Sequence, residues 1–236
     1  MEVMFNMPVM TSDTTVIKHE IFNYTVNNLL DKTYKYYVDL NSGPGYDRWK
    51  RALSPIMTLE AAIRNGIKSL RCFLCEIDED AQKKLHQHTQ AYPYHIRILP
   101  DQKEIVEYNI PKVRGLVYSD DNGIADFNLL HEMSKNPKLD ILIHLQHVSI
   151  ARIAGRKTIR NKHEKKEALV YLDMLNRKHW YIRYFGPRVM VFGTNVKTNN
   201  LSKYYHFQSE VGQILFKKLN SKNATAEDYK LLDQVA

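Results

Sequence analysis

Four segments of this sequence place acidic residues, or glycine beside an acid, where an apolar run ends. The first is Asp39-Leu40-Asn41-Ser42-Gly43-Pro44-Gly45, following Tyr36-Tyr37-Val38. Glycines at such a turn let backbone approach a ligand closely, and the acid can engage a cation or polar group beside it. No Gly-Lys-Ser/Thr follows, which argues against a phosphate loop. The second is Glu76, after Cys72-Phe73-Leu74-Cys75. A carboxylate there can accept hydrogen bonds from both ribose hydroxyls of a nucleoside cofactor, or serve as an acid at a helix N-terminus. The third is Asp101, just after His95-Ile96-Arg97-Ile98-Leu99, and the fourth is Ser119-Asp120-Asp121-Asn122-Gly123. Two carboxylates and an amide there could bind a metal, act as a base or accept from an amino group. Asp-Asn-Gly is strong turn chemistry, and taken alone the segment reads first as a turn.

Cations gather late in the chain. Arg152, Arg156, Lys157, Arg160, Lys162, Lys165 and Lys166 crowd one stretch, with His163 among them. Arg177, Lys178, His179, Arg183 and Arg188 follow, interleaved with Trp180, Tyr181, Tyr184 and Phe185. Cations neutralise phosphates and aromatics stack on unpaired bases, so the first cluster reads as a nucleic-acid surface. The aromatics fit base stacking and a strand-pair core equally well. Cys72 and Cys75 form a C-x-x-C inside an apolar run, with no second pair to complete a zinc site, so no metal is expected. His86, His88, His144 and His147 form no metal set, and no role follows for His144 from its position alone.

The elements that must position these residues alternate. Helical spacing covers about Val16 to Asp31, with Ile17, Ile21, Tyr24, Leu29 and Leu30 on or near one face. Ser54-Pro55 opens a helix through about Ile67, with Ile56, Leu59, Ala62 and Ile63 repeating at helical spacing. Further helices are predicted at Asp78–His88, Asp126–Ser134 and Glu167–Asn176. Strands are predicted at Tyr36–Leu40, Leu70–Ile77, Tyr94–Leu99, Gly115–Ser119 and Leu139–Leu145. Trp180–Phe185 and Arg188–Gly193 read as a closing pair. Such alternation predicts an α/β fold with a mostly parallel sheet covered on both faces, and ligands then bind beyond the carboxyl ends of the strands.

Composition sets the bounds. The chain of 236 residues is 44% hydrophobic and 25% charged, enough for one sizeable core. Nine glycines and eight prolines exclude collagen-like and Pro/Gly-rich disordered classes. Mean hydropathy is −0.46, with no apolar run long enough to span a bilayer, so no membrane partner is expected. Met1 to Met10 carries Glu2 and no basic stretch, which does not fit a signal peptide. Two cysteines fit a reducing, cytoplasmic compartment. A net charge of +8 favours an anionic partner.

Taken together, the segments resemble class I S-adenosylmethionine-dependent methyltransferases, and more closely the three-Cys-motif partner family. Lys18-His19-Glu20-Ile21 resembles that family's Lys-His helix. Tyr37 to Gly45 is similar to its Tyr-x-Asp-x-x-(Ala/Ser)-Gly-Pro-Gly turn, and Ser54-Pro55 to its Ser-Pro helix start. Asp120-Asp121-Asn122-Gly123 is similar to its Asp-Pro-x-Gly segment. Asp140 to Leu145 with Arg152, and Val189 to Asn195, resemble its later strands. The likeness spans roughly residues 16–218. It implies a Rossmann-like domain there with a basic insertion at about 152–166, an N-terminal extension at 1–15 and a C-terminal tail or helix at 219–236.

The resemblance implies S-adenosylmethionine as cofactor, with Asp39, Ser42, Gly43, Gly45, Glu76 and Asp101 around it, and Asp120 with Asn122 orienting an acceptor nitrogen. The expected activity is methyl transfer to nucleic acid, DNA or RNA, with an exocyclic amine as one acceptor and a phage or mobile element as one source. The sequence departs from the pattern at Asn41, Asp121 and Asn122. The family's proline and aromatic are lost, so the acceptors remain without a stacking plate. The alternative is a non-catalytic methyltransferase-like module that binds nucleic acid or a partner protein.

Overall fold

The computed structural model describes residues 13–120, 125–146, 168–185 and 188–219. Helix α1 (Asp13–Leu29) leads into strand β1 (Tyr36–Asp39), then α2 (Ser54–Arg64), β2 (Arg71–Cys75), α3 (Glu79–Thr89) and β3 (His95–Leu99). A single turn, α4 (Glu104–Glu107), precedes β4 (Gly115–Ser119), α5 (Phe127–Ser134) and β5 (Leu139–Gln146). The described chain ends with α6 (Ala168–Met174), β6 (His179–Phe185), β7 (Arg188–Thr194), the short β8 (Tyr205–His206) and α7 (Glu210–Leu219).

These strands form one sheet in the order β3-β2-β1-β4-β5-β7-β6-β8. The first five are parallel, and β7 enters antiparallel between β5 and β6. The order reverses direction between β1 and β4, which opens a crevice at their carboxyl ends.

Every residue of β1 and β4 is buried, as expected for central strands covered on both faces. Side chains alternate between two cores. Tyr36, Val38, Phe73, Val117 and Ile141 pack under α4, α5, α6 and α7 through Ile105, Leu130, Leu172 and Leu215. Tyr37, Cys72, Leu74, Leu116 and Leu142 face α1, α2 and α3 through Phe22, Val26, Leu59 and Leu85. Each such buried aliphatic contributes about 1.5–3 kcal/mol relative to exposure.

Local chemistry sets the helix ends. The Asp78 carboxylate accepts from the Ala81 amide at 2.7 Å and starts α3. Asp126 accepts from the Asn128 and Leu129 amides, both at 3.1 Å, and starts α5. The helix expected to reach Ile67 stops at Arg64, because Gly66 takes φ 65 and turns the chain away. Two residues expected on apolar faces are exposed instead, Ile17 by 39% and Ile63 by 51%. The inward stripe of α1 is Ile21, Phe22, Val26 and Leu29, with Thr25 among them bonded to Tyr204. The late aromatics Trp180, Tyr181 and Phe185 are buried core residues, which removes them as base-stacking surfaces. Arg177 is buried too. Its guanidinium donates to the carbonyls of Ser134, Leu175, Asn176 and Asn136, so it is spent on the fold and not on phosphate.

Candidate functional site

A cavity of about 440 Å³ lies at the carboxyl ends of β1, β2, β3 and β4. Its wall includes Asn41, Ser42 and Gly43 after β1, Glu76 and Ile77 after β2, and Pro100, Asp101 and Gln102 after β3. Asp120 after β4, Leu53 and Ser54 at the start of α2, and Lys18, His19 and Phe22 of α1 also line it. The size falls within the range of small-molecule sites, roughly 300–1,000 Å³.

The glycine turn is pinned at both ends. The Leu40 amide donates to the Tyr118 carbonyl and the Ser42 amide to the Cys75 carbonyl, each at 2.9 Å. Gly43 (φ 64) and Gly45 (φ 89) adopt a conformation that a side chain would strain. The two glycines do different work. Gly43 lines the cavity, whereas a Cβ on Gly45 would meet the ring and Cβ of His88 at 3.3 Å. His88 Nδ1 sits 2.8 Å from the Pro44 carbonyl oxygen, an acceptor it can meet only as an N–H donor. Gly45 therefore seats the turn against α3 and is not part of the cavity wall.

Asp39 differs from the sequence expectation in the same way. It is fully buried and absent from the cavity wall. Its carboxylate accepts from the Tyr37 hydroxyl at 2.7 Å and the Asn41 amide at 3.1 Å. Burial raises its pKa to about 6, with the hydrogen bonds from Ser54, Tyr37 and Asn41 acting against the rise. This acid is spent inside the turn, shaping the backbone that Ser42 and Gly43 present.

Glu76 and Asp101 do line the cavity. Glu76 Oε1 accepts from the Asp78 amide at 2.9 Å, so the residue also braces the entry to α3, and Oε2 has no partner among the described residues. Asp101 is exposed, and its Oδ1 accepts from the Lys103 amide at 2.9 Å. Ile77, 86% exposed beside Glu76, is an apolar cavity residue that periodicity does not single out.

Asp120 carries the densest set of contacts. Lys18 Nζ donates to Oδ2 at 2.6 Å and His144 Nδ1 to Oδ1 at 2.6 Å, while the Asp120 amide donates to Asn41 Oδ1 at 3.2 Å. Burial alone would raise the Asp120 pKa. The hydrogen bond from His144 and the charge of Lys18 overcome burial and hold the carboxyl at about 2. His144 is 2% exposed and stacks on Phe185 with ring centroids 5.8 Å apart. Burial holds its pKa below the usual histidine value, outweighing the pull of Asp120. The ring is then neutral, with the proton on Nδ1 and a buried, unpartnered lone pair on Nε2. His19, on the cavity wall, is pushed down to about 4 by burial and by Lys18.

The pairing of Lys18 and His144 with Asp120 is absent from the sequence expectations. Register could have revealed half of it, since β4 and β5 pair with Ser119 beside Ile143, which sets Asp120 next to His144. The two cysteines face opposite cores, Cys72 toward α1–α3 and Cys75 toward α4–α7, so they cannot share one metal ion. Burial pushes the Cys75 thiol up to about 12, which leaves no thiolate. Among the described residues no group of His, Cys, Asp and Glu could hold a metal. Asp121 and Asn122 lie outside the described residues, as does the cluster Arg152, Arg156, Lys157, Arg160, Lys162, Lys165 and Lys166. No described helix is long and apolar enough to cross a membrane.

No family model matches the chain, and no curated protein matches it by sequence. Solved structures do. Protein LPL1258 from Legionella pneumophila, assigned to family model DUF519, matches with a TM-score of 0.53 at 11% identity, covering 85% of this chain and 90% of its own. That likeness and the strand order decide the architecture. The fold is Rossmann-like, an open α/β sheet with its switch point between β1 and β4. M. jannaschii TYW2, solved in complex with AdoMet, matches with a TM-score of 0.46 at 12% identity over 79% of this chain and 77% of its own. Precorrin-6y C5,15-methyltransferase from Geobacter metallireducens matches with a TM-score of 0.48 at 11% identity over 77% and 90%. Of these three, only the first likeness bears on the fold, and it bears on the fold alone.

Proposed function

We propose that the protein is a cytoplasmic S-adenosylmethionine-dependent methyltransferase acting on nucleic acid. One observation carries the reading: the cavity at the β1/β4 switch point has a glycine-turn backbone on one side, Glu76 and Asp101 on another, and a fixed anion, Asp120, at its β4 edge. The residues fit such a cofactor. Gly43 leaves space that a Cβ would fill, since a Cβ there would lie 3.1 Å from Leu53 Cδ1. Glu76 has a carboxylate oxygen to accept from ribose hydroxyls, and Asp101 and Gln102 offer polar groups to an adenine edge.

When bound, the cofactor supplies a sulfonium-activated methyl group. Asp120, ionised at any pH well above about 2, accepts from an acceptor N–H and stabilises the positive charge that grows on that nitrogen. A carboxylate so weakly basic aligns the acceptor and is not a strong base. His144 and Lys18 keep both oxygens oriented, and Asn41 fixes the Asp120 backbone. Asn122 and the basic cluster at 152–166 complete the proposed site, as acceptor partner and phosphate contacts. A base within a duplex would have to be flipped out to reach the cavity.

Within this reading, residues 16–218 form the catalytic domain, and Lys18-His19, the glycine turn and Ser54-Pro55 support a likeness to the three-Cys-motif partner family. An exocyclic amine acceptor and a phage or mobile-element source belong to the same proposal. A non-catalytic partner module is the second reading, favoured by Lys18, whose ammonium already sits on the carboxylate that an acceptor would need. Titration calorimetry with S-adenosylmethionine and S-adenosylhomocysteine tests the shared step. Micromolar binding, about −8 kcal/mol, supports the cofactor, and none below about 1 mM contradicts it.

A further inference from the structure

The chain between the glycine turn and α2 carries side chains that methyl transfer does not use. Tyr46 and Ala52 form an antiparallel bridge. Between them the Asp47 amide donates to the Arg51 carbonyl and the Lys50 amide to the Asp47 carbonyl, each at 3.0 Å. The Asp47 carboxylate fills the inside of this hairpin. It accepts from the Trp49 and Arg51 amides at 2.9 Å and from Arg51 Nε at 2.6 Å. Lys50, at the tip, takes φ 62, a conformation where glycine would be unstrained. The sequence keeps a cation there instead.

The outside of the hairpin presents an exposed indole beside cations. Trp49 is 48% exposed, whereas the other tryptophan, Trp180, is 9% exposed. The guanidinium groups of Arg48 and Arg51 lie 4.0 and 4.6 Å from the centroid of the Trp49 ring. Among the described residues no carboxylate pairs with Arg48 or Lys50. The hairpin also stands on the cavity rim. Ser42 and Gly43 before it, and Leu53 and Ser54 after it, line the cavity, and the charges of Arg51 and Asp47 both reach His19 in the cavity wall.

We propose that the hairpin 46–52 is a binding site for single-stranded nucleic acid, with Trp49 stacking on an unpaired base next to the one that enters the cavity. Arg48 and Lys50 take the flanking phosphates, while Arg51 stays on the Asp47 carboxylate. An acidic peptide would satisfy the cations but offers the indole no repeating flat ring, and a duplex hides its rings in its own stack. The Arg48 guanidinium over the indole has no carboxylate partner among the described residues and is the one a phosphate draws away, which uncovers that face of the ring for a base. The proposal rests on the nucleic-acid part of the reading above and not on catalysis.

The test is fluorescence anisotropy of the full chain with labelled single-stranded RNA, single-stranded DNA and the matching duplex, at several salt concentrations. Wild type is expected to bind the single strands, with quenching of the Trp49 emission. Trp49→Ala is expected to weaken single-strand binding about tenfold, the scale of one lost base–aromatic stack, and to leave duplex affinity unchanged. Trp49→Phe should restore most of the loss. Arg48→Ala with Lys50→Ala should flatten the slope of log affinity against log salt by about 0.7 for each phosphate contact removed. Wild-type affinity in Trp49→Ala, or an equal loss on duplex, overturns the hairpin assignment and leaves the nucleic-acid reading standing. Failure of wild type to bind any of the three polymers overturns both.

Discussion

His144 Nδ1 donates to Asp120 Oδ1 across 2.6 Å, from the end of β5 to the end of β4, and has no contact with the cavity itself. Under the proposed function the histidine would act through the carboxylate. Hydrogen bonds to charged groups contribute about 1.5–3 kcal/mol. His144→Leu should lower kcat for methyl transfer tenfold or more while KM for the cofactor stays within a few-fold. His144→Asn, whose amide N–H can reach the same oxygen, should recover most of the rate. Equal rates for both variants in a steady-state methylation assay would show that His144 only fills space.

Asp39 and His19 make opposed contributions to stability over one pH window. Asp39 is raised to about 6 in the fold, so its contribution is full below the unfolded carboxylate pKa and is lost as pH rises through about 6. His19 is lowered to about 4, so the native state binds fewer protons below 6.5 and stability rises with pH between about 4 and 6.5. Wild-type stability should still rise with pH there, because burial also lowers His144 and His206, which add to the His19 slope that Asp39 opposes. Asp39→Asn, which keeps an oxygen for Tyr37 and Asn41, should be more stable at neutral pH by about 3 kcal/mol at most, and its stability should climb between pH 4 and 6.5. His19→Gln should show a lower slope than wild type across the same window. Urea midpoints across this range check both, and profiles parallel to wild type would contradict the assignment.

Gly43 and Gly45 should separate by experiment as they do in space. Gly45→Ala strains φ 89 and presses on His88, so it should destabilise the fold by about 1–2 kcal/mol while the folded protein keeps its cofactor affinity. Gly43→Ala adds a methyl group at the cavity wall and should lose both stability and affinity. Denaturation paired with calorimetry on each variant reads the two effects, and equal loss of affinity in both would contradict the division.

Glu76→Ala should weaken cofactor binding by about 1.5–3 kcal/mol, since a charged acceptor in the cavity is removed. Glu76 also accepts from the Asp78 amide, so thermal unfolding must accompany the calorimetry. Unchanged affinity in a folded variant would leave Glu76 as a brace for α3 only.

Periodicity and turn chemistry carried most of the architecture, because the buried strands are apolar runs cut by Gly, Pro, Asp and Asn. Gly115–Ser119 is observed as expected, and the other expected strands differ by one or two residues at their ends. The glycine turn and the acids at the strand ends were legible for the same reason. Which acids face the cavity was not. Asp39 and Ser42 are three residues apart in one turn, yet only Ser42 lines the cavity, a difference set by Tyr37 and Asn41 enclosing the carboxylate. The Lys18–Asp120 pair spans 102 positions and leaves no local trace. Nor does the short β8, whose two residues pair with β6 without any hydrophobic run to mark them.

The most direct test of the proposed function is transfer of a tritiated methyl group from S-adenosylmethionine to mixed DNA and RNA, by wild type and Asp120→Ala. Wild type is expected to incorporate label, and Asp120→Ala to lose a hundredfold or more with cofactor affinity within a few-fold, about 2.7 kcal/mol of transition-state stabilisation. Incorporation by Asp120→Ala at the wild-type rate, or none by a wild type that binds the cofactor tightly, would contradict the proposed function.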